Sequence, residues 1–235
     1  MSYMFYYAYE FDQALDSWKV DNVKDMSGMF NEAEAFNHAL DSWNVGQVTN
    51  MRKMFWGAVK FNQALDSWRV GSVEDMSEMF AYAYEFNQAL NSWDVASVGD
   101  MRSMFYSAFE FDQAIDSWMV DNVKNMNYMF ALASKFDQSI DSWNVNNIED
   151  MNSMFYKASE FDQVLDSWKV DNVKDMSSMF NHASKFSKAV CWGISTDTNT
   201  QNMFYGDTAG GCADYSCCPS CSGLQYPPKK CQLAL

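Results

Sequence analysis

The sequence predicts an α/β solenoid, a stack of 25-residue units that each supply one short parallel strand and one short helix, closed by a small disulfide-rich C-terminal cap. Three observations carry that prediction. Phe11, Phe36, Phe61, Phe86, Phe111, Phe136, Phe161 and Phe186 share one phase of a 25-residue period. Trp18, Trp43, Trp68, Trp93, Trp118, Trp143 and Trp168 share a second phase. A Met-Phe pair recurs at a third, from Met4-Phe5 to Met179-Phe180. A unit this small cannot bury an apolar face alone, so strict repetition means that each unit covers its neighbour.

In the unit at 11–35, the run Leu15-Asp16-Ser17-Trp18-Lys19-Val20 ends in an apolar-polar-apolar alternation. That is the mark of a half-buried strand, with Trp18 and Val20 inward and Lys19 outward. Asp21 and Asn22 are turn formers. Val23, Met26, Met29, Phe30 and Ala33 then fall at helical spacing, with Asp25 placed to assist the helix start. A helix of about two turns is unstable alone and depends on packing. Successive strands are expected to pair in parallel about 4.8 Å apart, with the wider helical side curving the stack.

The expected organisation is a solenoid over 1–190, a degenerate last repeat over 191–206, and a cysteine-rich tail over 207–235. In the degenerate repeat Trp192 and Met203-Phe204 each arrive one residue early. All six cysteines, Cys191, Cys212, Cys217, Cys218, Cys221 and Cys231, lie in the last stretch. An even number so concentrated reads as a disulfide framework in an oxidising compartment, with Cys191–Cys212 as the first expected bridge. Cys218-Pro-Ser-Cys221 is a single knuckle with no histidine nearby, which argues against zinc. Met1, Met4 and Phe5 are already in phase with later units. The chain is therefore expected to begin inside a repeat, with a preceding stretch missing that could carry a secretion signal.

The pattern F-[DN]-Q-A-L-D-S-W-x-V-x-x-V-x-x-M-x-x-M-F-x-x-A, present over residues 1 to about 206, resembles the BspA-type leucine-rich-repeat surface proteins. The run Leu15-x-x-Trp18-x-Val20-x-Asn22-Val23 is similar to the leucine-rich-repeat signature shortened by one residue. The resemblance implies a leucine-rich-repeat-like solenoid, a cell-surface or secreted location, and an adhesive or protein-binding role. One departure stands out. The Asn that forms an internal ladder in that family reads Asn22, Gln47, Ser72, Ser97, Asn122, Asn147 and Asn172 here, which puts a continuous ladder in doubt.

The formal net charge of −15 excludes a general nucleic-acid binder and argues against docking on an anionic membrane. No apolar run is long enough for a spanning helix. His38 and His182 are the only histidines and form no catalytic constellation, and no phosphate-cradling glycine loop is present. An enzyme is not expected, and neither is a cofactor. A column of Asp16, Asp41, Asp66, Asp116, Asp141 and Asp166, with Asn91 in its gap, requires compensation by serine and backbone donors or by calcium. Between Trp and Val the residues differ from unit to unit: Lys19, Asn44, Arg69, Asp94, Met119, Asn144 and Lys169. This column is the expected binding face. A second variable patch follows each Met-Phe pair and is rich in aromatics, including Trp56, Tyr82, Tyr84, Tyr106, Phe109 and Tyr156. The expected function is adhesion to an extracellular protein or glycan, or to a second copy of the chain. A spacer without a ligand and a calcium-dependent adhesin are the alternatives.

Overall fold

The computed structural model describes residues 1–190 and 192–206. The six cysteines, and with them the expected bridges and cap, lie outside the described residues. The period is realised as coils stacked in register: coil 1 is 1–25, coil 2 is 26–50, and so on to coil 7 at 151–175. Coil 8 is 176–199, and coil 9 begins at 200. One parallel bridge marks each junction, from Asp25↔Asn50 to Asp175↔Asn199.

Those isolated bridges are all the sheet among the described residues, which hold no α-helix and no multi-residue strand. The α/β, strand-plus-helix, leucine-rich-repeat-like unit is thereby overturned. The apolar stripe itself is where the spacing put it: Met26, Met29, Phe30 and Ala33 are all fully buried. The backbone reaches those positions by consecutive turns. Met29 N–H donates to the Met26 carbonyl at 3.2 Å, Asn31 to Gly28 at 3.1 Å, and Ala33 to Phe30 at 3.0 Å. Gly28 and Glu32 have φ of +57° and +60°, and a left-handed residue at every fourth position cannot continue a right-handed helix. The N–H groups of Met26, Gly28, Phe30 and Glu32 instead donate along the stack to Asn50, Arg52, Met54 and Trp56 at 2.7–2.9 Å. This turn ribbon bonds from coil to coil as a sheet does, while its side chains keep helix-like spacing. The Asp25 carboxylate accepts the Ser27 N–H at 2.9 Å, the bond expected of a helix start, but it opens a turn.

The predicted strand fails for a different reason. Trp43 and Val45 are buried and Asn44 is exposed, as alternation requires. Yet among the described residues no backbone bond joins the Trp-x-Val segments of adjacent coils. The tryptophan side chain makes the crossing instead. The indole of Trp43 donates to the Leu15 carbonyl in the preceding coil at 3.0 Å, as Trp118 does to Leu90 and Trp168 to Ile140.

Two further side-chain ladders tie the coils. At the phase where asparagine continuity was in doubt, shorter donors still reach: Ser72 Oγ bonds the Gly46 carbonyl at 3.0 Å and Ser97 Oγ bonds Gly71 at 2.7 Å. Asn122, Asn147 and Asn172 continue that column to Ala96, Asp121 and Asn146. The second ladder explains the recurring F-[DN]-Q. The Asn62 Oδ1 accepts the Asn87 N–H at 2.9 Å and the Gln88 amide at 2.8 Å, and Asp112 serves Asp137 and Gln138 likewise.

The core is a double column of parallel rings. Phe105 lies 3.9 Å from Phe111 in its own coil, 5.7 Å from Phe80 and 5.6 Å from Phe130. Each such ring contributes about 1.5–3 kcal/mol through burial. Ring spacing along the Phe30 column stays at 5.4–5.7 Å. From Trp68 to Trp143 it is 6.3–6.5 Å where neighbours stack. The early arrival of Trp192 does not break the stack. Its ring lies 5.9 Å from Trp168 and its indole donates to Leu165 at 2.9 Å, so coil 8 is one residue short but in register.

Candidate functional site

The buried landmarks leave two long columns of variable side chains facing solvent. On the Trp-x-Val face, Lys19, Asn44, Arg69, Asp94, Met119, Asn144 and Lys169 are all exposed. Several of them serve the local turn: Asn44 bonds the Asp21 carboxylate at 3.1 Å and accepts the Gly46 N–H at 3.2 Å, and Asp94 accepts the Ala96 N–H at 3.2 Å. Asn44 and Arg69, with Ser42, Trp43, Val45 and Ser67, line a shallow groove of ≈ 300 Å³.

The aspartate column beside it is held as hydrogen-bonding logic suggests. Ser67 Oγ bonds the Asp41 carbonyl at 3.1 Å and Ser142 Oγ bonds the Asp116 carbonyl at 2.8 Å, leaving those carboxylates in solvent. Asp141 and Asn91 accept with their side chains from Ser167 and Ser117. Among the described residues no three acidic, histidine or cysteine side chains converge as metal ligands.

The ribbon carries the second column, and here the side chains touch. Tyr82 lies between Trp56 and Tyr106, at 5.0 and 5.1 Å, meeting both edge to face. Tyr84 stacks on Phe109 at 4.8 Å, and Tyr128 extends the patch from Tyr106 at 6.2 Å. Phe109 and Tyr128 are 39% and 38% exposed, which marks the patch as surface rather than core. Burial first, then the neighbouring Tyr106 phenol, pushes the Tyr82 hydroxyl above its ordinary value. Near coil 1 the Tyr6 phenol is pushed up to about 12, first by its hydrogen bond with Tyr7 and then by burial.

An alternation orders the ribbon that the sequence reading missed. The residue after Met-Phe is aromatic in every second coil, as Tyr6, Trp56, Tyr106, Tyr156 and Tyr205. In the coils between it is small and buried: Asn31, Ala81, Ala131 and Asn181. The next position inverts the rule in most coils, with Glu32, Tyr82, Leu132 and His182 large where Gly57, Ser107 and Gly206 are small, while Tyr7 and Lys157 are large beside an aromatic neighbour. Space explains it. A Cβ on Gly57 would lie 2.9 Å from the Glu32 carboxylate, so the large side chain of one coil covers the small one of the next. Comparing these two positions across units would have disclosed the pairing from the sequence. Tyr128, just before its Met-Phe pair, stands at a phase that the sequence reading left out.

Residues 1–93, 36–134 and 113–210 each match one family model, described as Mycoplasma protein of unknown function, DUF285. The three overlapping matches follow the tandem array, and they support that family rather than the BspA-type leucine-rich-repeat proteins specifically. No curated protein matches the chain. The chain belongs to the DUF285 family, a tandem-repeat family.

Proposed function

We propose that this tandem-repeat protein acts outside the cell or on its surface, and that it binds another macromolecule along the ribbon face. The observation that carries this reading is the contiguous cluster of Trp56, Tyr82, Tyr84, Tyr106, Phe109 and Tyr128, partly exposed and spanning several coils. Such rings are enriched in interfaces because they offer large apolar contact with few rotatable bonds. The repeat makes the contact multivalent: each coil adds a weak contact, and a rigid stack holds them in line. A negatively charged chain of this composition favours neutral or cationic partners.

The test is retention of the purified chain on immobilised extracellular-matrix material. A Trp56→Ala/Tyr106→Ala double variant should elute early, while a Lys19→Ala/Arg69→Ala/Lys169→Ala triple variant should elute with wild type. The opposite order would move the site to the Trp-x-Val face. Protease added to intact cells should remove the protein, and protection would contradict the surface location.

A further inference from the structure

Every tyrosine among the described residues stands between the third and ninth positions of its coil, on the ribbon side, and none is buried. One pair of them is tied directly across a junction. The Tyr82 N–H donates to the Tyr106 carbonyl at 2.8 Å, which makes the two residues immediate neighbours in coils 4 and 5. Their rings meet edge to face, with centroids 5.1 Å apart and planes at 66°. After burial, it is the Tyr106 phenol that acts most on the Tyr82 hydroxyl, through charge and then by hydrogen bonding. The two oxygens, and with them the ring carbons ortho to each, therefore lie at the near ends of the rings. Tyr106 and Tyr128, the next pair across a junction, stand farther apart at 6.2 Å. Tyr6 and Tyr7 are closer, at 4.0 Å, but they are adjacent in the chain, and joining them would span no junction.

We propose that Tyr82 and Tyr106 form an oxidative modification site, where a haem peroxidase acting with hydrogen peroxide couples the two rings as dityrosine. The oxidised haem takes one electron from each phenol, and each hydroxyl gives up its proton. The unpaired electron of a phenoxyl is shared between its oxygen and its ortho carbons. One ortho carbon of each ring joins the other in a new carbon–carbon bond. The hydrogen that each of these carbons carried then moves to the oxygen as the rings regain aromaticity. Hydrogen peroxide accepts both electrons and both protons through the haem and leaves as water. Geometry favours this pair over chance encounters. The backbone bond at 2.8 Å holds both residues at one junction, so their coupling is intramolecular and already oriented. Rings joined by a single bond keep a twist about it, so planes at 66° need not flatten. Partial exposure leaves both phenols within reach of an external oxidant. The product makes one coil-to-coil contact covalent. It closes the chain from 82 to 106 into a loop that unfolding cannot open, and it constrains the unfolded chain as a disulfide does. The coupling is independent of what the ribbon binds.

The experiment treats the full chain, at low concentration, with a haem peroxidase and hydrogen peroxide. Proteolytic peptides of the monomer band are then mapped by mass, and urea unfolding is followed before and after oxidation. Wild type should yield a peptide pair joined at 82 and 106, lighter by one hydrogen from each ring, and its urea midpoint should rise on oxidation. Tyr106→Phe should lose both the joined pair and the rise, while Tyr84→Phe and Tyr128→Phe should keep both. Each substitution removes only a hydroxyl, and unchanged urea midpoints before oxidation show that the variants remain folded. Peptides 82 and 106 recovered unlinked from oxidised wild type overturn the proposal, whichever other tyrosines have coupled. So does a link that forms only between chains, or a link at 82 that survives Tyr106→Phe.

Discussion

Replacing Trp118 by Phe should destabilise the protein far more than the same replacement at Trp18. Both lie in the same Leu/Ile-Asp-Ser-Trp-x-Val setting. Trp118 is 2% exposed and its indole donates to the Leu90 carbonyl at 3.0 Å. Trp18 is half-buried, and among the described residues its indole N–H has no partner. Removing the Trp118 indole leaves no orphaned acceptor, since Leu90 still accepts the Trp93 N–H at 3.1 Å. The loss is then one net hydrogen bond, about 1 kcal/mol, plus a cavity of about 1–2 kcal/mol. Trp118→Phe should therefore cost about 2–3 kcal/mol and Trp18→Phe less than about 1 kcal/mol. Urea unfolding followed by intrinsic fluorescence reads the difference as a lower midpoint at unchanged slope. Equal costs at the two positions, or a loss below about 0.5 kcal/mol at Trp118, would show that the indole ladder does not hold the coils.

Burial raises the pKa of the Asp100 carboxyl, more than its contacts with Arg102 lower it. A raised folded pKa means that charge is disfavoured at neutral pH and that the penalty fades as pH falls through the folded value. Asp100→Asn keeps an oxygen for the Arg102 N–H and should gain up to about 1 kcal/mol at pH 7, with the advantage shrinking toward pH 4 in pH-dependent thermal melts. Burial also works against the Asp162 carboxylate, but Lys188 and the Ser187 hydroxyl and amide outweigh it and hold its pKa below the ordinary aspartate range. Its contribution is present above the unfolded value and lost as pH falls through the folded one, so carboxyl ¹³C shifts should titrate Asp162 below an ordinary aspartate. Excising residues 76–125 returns Trp56 to a neighbour with Ala131 and Leu132, whereas excising 76–100 sets it against Tyr106. The longer deletion should have the higher urea midpoint, and the reverse order would discount the alternation.

The buried face was legible in the sequence because apolar periodicity reports which side chains point inward. Met26, Met29, Phe30, Phe36, Trp43 and Val45 are all buried as their phases implied. The backbone was not legible, because the same three-and-four spacing serves a helix and a run of turns. The deciding signal was φ: left-handed positions held by Lys53, Glu78, Tyr82 and Leu132 carry no glycine to announce them. Non-glycine residues accept that conformation at a cost of about 1–2 kcal/mol each, and the coil-to-coil bonds on either side offset it. The Trp-x-Val alternation was right about burial and silent about pairing, since an indole can replace a backbone crossing. At the candidate site, the exposure of Lys19, Arg69 and Lys169 was legible. The assembly of Trp56, Tyr82 and Tyr106 across three coils needed the stacking distance as well as the letters.

Every junction reuses one set of donors and acceptors, so a gene that copies two units at a time lengthens its product without inventing a contact. Each such copy would extend reach by about 10 Å and append one more ring, keeping Trp56 and its successors in cadence. Copying a single unit would break that cadence. Descendants of such an ancestor can thus vary avidity by counting alone, and the one-residue shortening before Trp192 shows how much slippage the register forgives.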